Sequence, residues 1–186
     1  MEISKIGLGD WYSSLSDRDK VKTERYLKDA DTSSAFSFLY SAASASVADG
    51  NHQFAAMLLD ECFKRELTDT ERFDVTELLI DAYMGMKRYD DAKLLCEQNL
   101  LLYPSVSSKI KERNGGSVPE KLNCRNRYID ITAGIESGYD EAFGLLGRFL
   151  EMRLITEEEY KLRMQSLRIH RLQRSFDGIY TYSFKK

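Results

Sequence analysis

The 186-residue chain contains two prolines, one tryptophan, two histidines and three cysteines, and each scarcity removes a class of protein. His52 and His170 stand at no metal-ligand spacing from each other, from a cysteine or from a carboxylate, so neither a metal site nor a histidine-based catalytic centre is predicted. Cys62, Cys96 and Cys124 are odd in number and far apart, with no Cys-x-x-Cys pair. Each falls inside an apolar helical stripe, which predicts core thiols, a reducing compartment and a cytoplasmic location. The longest uncharged run, Thr32 to Ala48, has 17 residues and is broken by seven Ser and Thr, so no membrane span is expected. Glu2 takes the place of the basic region of a leader peptide, and no apolar segment follows it. Gly7-Leu8-Gly9 has no strand before it and makes no dinucleotide fingerprint. No cofactor and no catalytic residue is predicted.

Hydrophobic residues make up 42% of the chain, ordinary for one globular domain of this length. With few prolines and almost no apolar alternation before the last residues, helices dominate the prediction. The clearest unit runs from Val75 to Pro104. Leu79, Ile80, Tyr83 and Met84 form one helical stripe; after a turn at Gly85 to Arg88, Tyr89, Ala92, Leu95, Cys96, Asn99 and Leu100 form a second. Thr68 and Glu71 have the spacing of a capping box at the start of this unit, and Pro104 is expected to end it. Ser16, followed by Asp17 and Asp19, predicts a helix to about Asp29, with Trp11, Tyr12 and Leu15 docking before it.

Leu79, Tyr83, Tyr89-Asp90-Asp91-Ala92 and Pro104 resemble the pattern of a tetratricopeptide repeat. Aligning Ala55 on Ala92 gives a second copy at an offset of 37, with helices near residues 32–48 and 51–66, and Ser137 to Ala142 gives a third, preceded by a helix over about 119–136 bearing Cys124, Tyr128, Ile131 and Ile135. The resemblance implies an all-α fold of roughly nine helices, with antiparallel hairpins stacked as a short α-solenoid. It divides the chain into an N-terminal cover (1–30), two hairpins (31–104), a flexible loop (105–118) containing Asn114-Gly115-Gly116, a third hairpin (119–155), and a basic helix with an aromatic tail (156–186). The implied function is non-catalytic binding of a protein or peptide in the groove made by the first helix of each hairpin.

On that alignment the groove positions are Asp74, Glu77 and Asp81 in one hairpin and Ser37, Tyr40 and Ser44 in the other, which favours a cationic or hydroxyl-bearing peptide. The plainer reading of the three carboxylates is a solvated helix face. Residues 161–186 carry seven Lys and Arg against one Asp, a net +6 that leaves −9 on residues 1–160 of a total of −3. Lys161, Arg168 and Arg171 therefore form a basic patch. It is expected either to dock on the acidic row of its own or a second copy, or, as the alternative function, to serve a nucleic-acid helper with Tyr180, Tyr182 and Phe184 stacking on bases. An acidic remainder and a pI near 5.5 weigh against nucleic acid. The plainer reading packs Leu162, Leu167, Ile169 and Leu172 onto the last hairpin, with the aromatic tail covering its end. Thr156 and Glu159 have capping-box spacing at the start of this final helix, predicted over about 157–174, and Asp177-Gly178 is expected to turn the chain into the tail.

Two further features complete the candidates. Ser117, Arg125 and Arg127 lie around a predicted helix start and form a possible anion site; Ser117 and Glu120 also have capping-box spacing, with Pro119 suited to a first turn. Asp130 stands between two isoleucines, predicting either a pair with Arg127 or Arg125 or a polar pocket.

Overall fold

A computed structural model describes the backbone of residues 2–183 and the side chains of residues 3–175. Ten α-helices run in the order α1 (Glu2–Lys5), α2 (Gly9–Ser14), α3 (Asp17–Leu27), α4 (Ala35–Ala48), α5 (His52–Phe63), α6 (Asp69–Gly85), α7 (Tyr89–Arg113), α8 (Asn123–Ile129), α9 (Tyr139–Glu151) and α10 (Glu157–Ser183). A π-helical segment, Asp130–Ile135, continues α8. No strand occurs among the described residues, and no helix there is long and apolar enough to cross a membrane.

Local chemistry starts three helices where the sequence predicts. The Ser16 hydroxyl accepts from the Asp19 amide at 3.2 Å. Thr68 and Glu71 form the reciprocal box, with the Thr68 amide donating to the Glu71 carboxylate at 2.8 Å. The Thr156 hydroxyl accepts from the Glu159 amide at 3.1 Å, while the Glu159 carboxylate is taken by Arg163.

Three helix pairs share one turn. Gly50, Lys87 and Ser137 take left-handed φ values of 75°, 60° and 59°. Five residues after each lies an alanine, Ala55, Ala92 or Ala142, with 0% exposure. The next amide reaches back to the preceding helix: Asn51 to Ser46 at 2.8 Å, Arg88 to Tyr83 at 2.9 Å and Gly138 to Thr132 at 2.7 Å. A methyl side chain at the crossing lets the axes approach, so the same residue type recurs there.

The pairs pack in chain order. α4 touches α5 and α6, α6 touches α7 and α8, α5 meets α6 and α7 meets α8, with α3 laid on α4 and α10 on α9. α6 is central because it is apolar on two sides. Val75, Leu79 and Ala82 enter a core with Phe38, Leu39, Phe54 and Leu58, whereas Phe73 and Ile80 enter a second with Cys96, Tyr103, Leu145 and Phe149. Ile3 and Leu8, fully buried, and the half-buried Trp11 and Tyr12 close the first core from the N-terminal side.

Four expectations are corrected. Pro104 does not end α7, which continues to Arg113; the ring sits on an exposed face, and Val106 and Ile110 beyond it stay buried. The connection is consequently shorter than 105–118 and lies between Arg113 and Asn123. The helix predicted over 119–136 begins only at Asn123, and its π turn leaves Ile135 42% exposed. Asp177-Gly178 does not turn the chain, because α10 runs through it. The side chains of Tyr180, Tyr182 and Phe184 lie outside the described residues.

Gly85 closes α6 against the His52 ring, which an added Cβ would meet at 2.2 Å. Gly85→Ala is therefore expected to cost about 1–3 kcal/mol in urea unfolding. Lys87→Gly, relieving a left-handed side-chain-bearing residue, is expected to add up to about 1 kcal/mol in the same assay.

Candidate functional site

The acidic row on α6 is the polar centre of the molecule. Asp74, Glu77 and Asp81 stand at i, i+3 and i+7, and each meets a group that follows much later in the chain. Asp74 accepts both terminal nitrogens of Arg113, at 2.7 and 3.0 Å. Asp81 accepts from Arg127 Nε at 2.9 Å, and the same guanidinium reaches Asp130 at 3.2 Å. Asp130 thus has its partner, one of the two predicted. The row is neither a freely solvated face nor an open row of carboxylates.

Glu77 is the most deeply committed member. It accepts from the Asn123 amide, from the Cys124 amide at 2.9 Å and from Asn99 Nδ2 at 2.9 Å, while Asn123 Nδ2 donates to the Glu77 carbonyl at 2.9 Å. α8 has no side-chain cap of its own, so this carboxylate satisfies two of its first free amides from another helix. Burial pushes the Glu77 carboxyl above its ordinary value, against the downward pull of the Cys124, Asn99 and Asn123 donors.

Over this row lies a cleft of about 400 Å³. α4 contributes Tyr40; α6 contributes Asp74, Glu77, Leu78 and Asp81; the end of α7 contributes Ile110 and Arg113, the following connection Lys121, and the start of α8 Asn123. Tyr40 stacks on Phe36 with ring centroids 5.7 Å apart, and burial together with the Asp74 charge pushes its hydroxyl up to about 12. Tyr40 and the three carboxylates thus line one cleft. Ser37 and Ser44 are not among the cleft residues: Ser37 donates its amide to the cap residue Ser34, and Ser44 is exposed farther along α4.

The possible anion site does not assemble. Arg125, 2% exposed, donates to the Leu154 carbonyl at 2.6 Å, the Glu120 carbonyl at 2.5 Å and Asn126 Oδ1 at 3.1 Å. It pins the connection before α8 to the turn before α10. Arg127 faces α6, and Ser117 bonds to Asn114 in the exposed connection. The Ser117–Glu120 capping box is absent because no helix begins there.

The basic helix does not lie on the acidic row either. Arg171 donates to Asp140 of α9 at 2.9 Å, while Arg163 donates to Glu159 within α10 and to Asn126 of α8. Lys161 and Arg168 are exposed. Among the described residues no group of three or more His, Cys, Asp or Glu is placed to hold a metal ion. The three cysteines are buried and free; burial raises Cys62 to about 12 and pushes Cys96 and Cys124 upward as well.

Asn99, Arg113, Lys121 and Asn123 are among the polar site residues absent from the sequence prediction. Only Asn99 carried a local signal, as a polar residue within an otherwise apolar stripe of α7. No protein-family model, curated protein or solved structure matches the chain.

Glu77→Gln replaces one acceptor oxygen by a donor facing an amide, and is expected to cost about 1–3 kcal/mol. With the folded carboxyl raised above its unfolded value, the folded state holds the proton more tightly. The stability due to this proton is present below the ordinary carboxylate range and is withdrawn as pH rises through the raised value. The stability gap between wild type and Glu77→Gln, measured by urea unfolding across that range, should change with that sign.

Proposed function

We propose that the chain is a non-catalytic protein- or peptide-binding scaffold whose helix pairs form a short tetratricopeptide-like array, with the cleft over α6 as its binding groove. The observation that carries this reading is the assembly of Tyr40, Asp74 and Asp81 from two successive helix pairs along one polar cleft of about 400 Å³. The repeated turns before Ala55, Ala92 and Ala142, and the contacts of α4 with α6 and of α6 with α8, support the array.

The ligand this chemistry favours is a cationic segment. Arg113 supports this reading, since its guanidinium lies across both oxygens of Asp74 in the planar two-bond arrangement that arginine favours. That pair is an exposed one, with the arginine side chain 53% and the aspartate 24% accessible. An incoming arginine that makes the same two bonds can take the place of Arg113 at small net cost, because one guanidinium is exchanged for another. Rigid helices hold Tyr40 and the carboxylates in place, and the ordering penalty falls on the peptide.

The experiment is a titration of the full chain with an arginine-rich dodecapeptide, followed by amide chemical shifts. The expected shifts cluster at Tyr40, Asp74 and Asp81, and Asp74→Asn or Tyr40→Phe, which keeps the packed ring, weakens binding by about fivefold to tenfold with melting little changed. Shifts confined to other surfaces, or affinity indifferent to both substitutions, would rule the groove out.

A further inference from the structure

α10 has apolar residues on two faces and uses one of them against the rest of the chain. Leu167 is buried, and Tyr160 and Met164 pack partly covered beside it, at i, i+4 and i+7 along the side that meets α9. Leu162, Ile169 and Leu172, which the sequence also assigns to packing, are 68%, 49% and 59% exposed. They are not scattered. Steps of seven and three place them at a, a and d of a heptad frame, with Gln165 at the intervening d position, and in sequence the same frame continues through Phe176 and Ile179. A row of this spacing is what one helix presents to another, whereas single exposed leucines are ordinary.

Charge selects the occupant. Lys161 and Arg168 each precede a seam residue, both are exposed, and neither has an ion-pair partner among the described residues. From Lys161 to Ser175 there is no Asp or Glu at all. Pairing with α10 of a second copy would offer no carboxylate from Lys161 to Ser175 to meet either Lys161 or Arg168. A lipid surface calls for a broad apolar face with aromatic anchors, and here Gln165, Ser166 and Gln173 interrupt it. We propose that the outward face of α10 docks an acidic amphipathic helix of a partner protein, with partner leucines against Leu162, Ile169 and Leu172 and partner carboxylates over Lys161 and Arg168. No residue of α10 whose side chain is described lines the cleft over α6, so this surface is separate from the proposed peptide groove.

The test uses the full chain and a fluorescein-labelled peptide of three heptads with Leu at a and d and Glu at e and g, followed by anisotropy. Saturable binding that weakens as salt rises is expected. Lys161→Glu with Arg168→Glu, and separately Ile169→Ser with Leu172→Ser, should each lower affinity by about tenfold or more. All four side chains are exposed, so melting should stay near wild type. No saturable binding, or affinity unchanged by both double variants, overturns the proposal. So does either competing occupant: a concentration-dependent dimer in sedimentation that Ile169→Ser abolishes, or phosphatidylserine vesicles that bind the chain more tightly than the peptide and lose it with the same variant.

Discussion

The Glu77 carboxylate is the interaction on which the second half of the chain depends. α8 begins without a serine, threonine, aspartate or asparagine cap, and its first two amides end on this one group from α6. Hydrogen bonds to a charged acceptor are stronger than neutral ones, and a buried carboxylate deprived of them would be costly. Helix and carboxylate therefore hold each other. Once α8 is fixed, Arg127 lies beside Asp81, Arg125 reaches the Leu154 carbonyl, and the turn before α10 has its anchor.

α6 can play this part because it belongs to both cores. A surface helix with one apolar stripe turns its other side to water, but α6 buries Val75 and Leu79 on one side and Phe73 and Ile80 on the other. Its acidic row occupies the remaining strip between the two. That strip is roofed by Arg113 and the connection before α8, so the cleft and the anchoring of α8 share the same carboxylates. Two kinds of carboxylate are adjacent here: Asp74 is held by an exposed arginine, Glu77 by backbone amides.

What the sequence made legible was local. Ser16 with Asp19, Thr68 with Glu71 and the alanines five residues after each turn are specified within a few residues, and the structure has them all. Pro104 misled because its ring faces solvent while Val106 and Ile110 continue the buried stripe; tertiary packing outweighs one missing hydrogen bond. The acidic row was visible as a row, yet its partners Arg113, Asn123 and Arg127 lie 39, 46 and 46 residues from the carboxylates they meet, beyond any periodic pattern. On α10 both apolar faces have helical spacing, and only the shape of α9 decides which is covered.

The division of the interior into two cores gives the free thiols a use. Cys62 lies in the first core, Cys96 and Cys124 in the second, and all three are buried and held in the unreactive protonated form. An alkylating reagent reaches a thiol only when its own surroundings open. The native chain thus carries its own gauges of breathing, one for each half, and their relative labelling rates report whether the halves loosen together or apart.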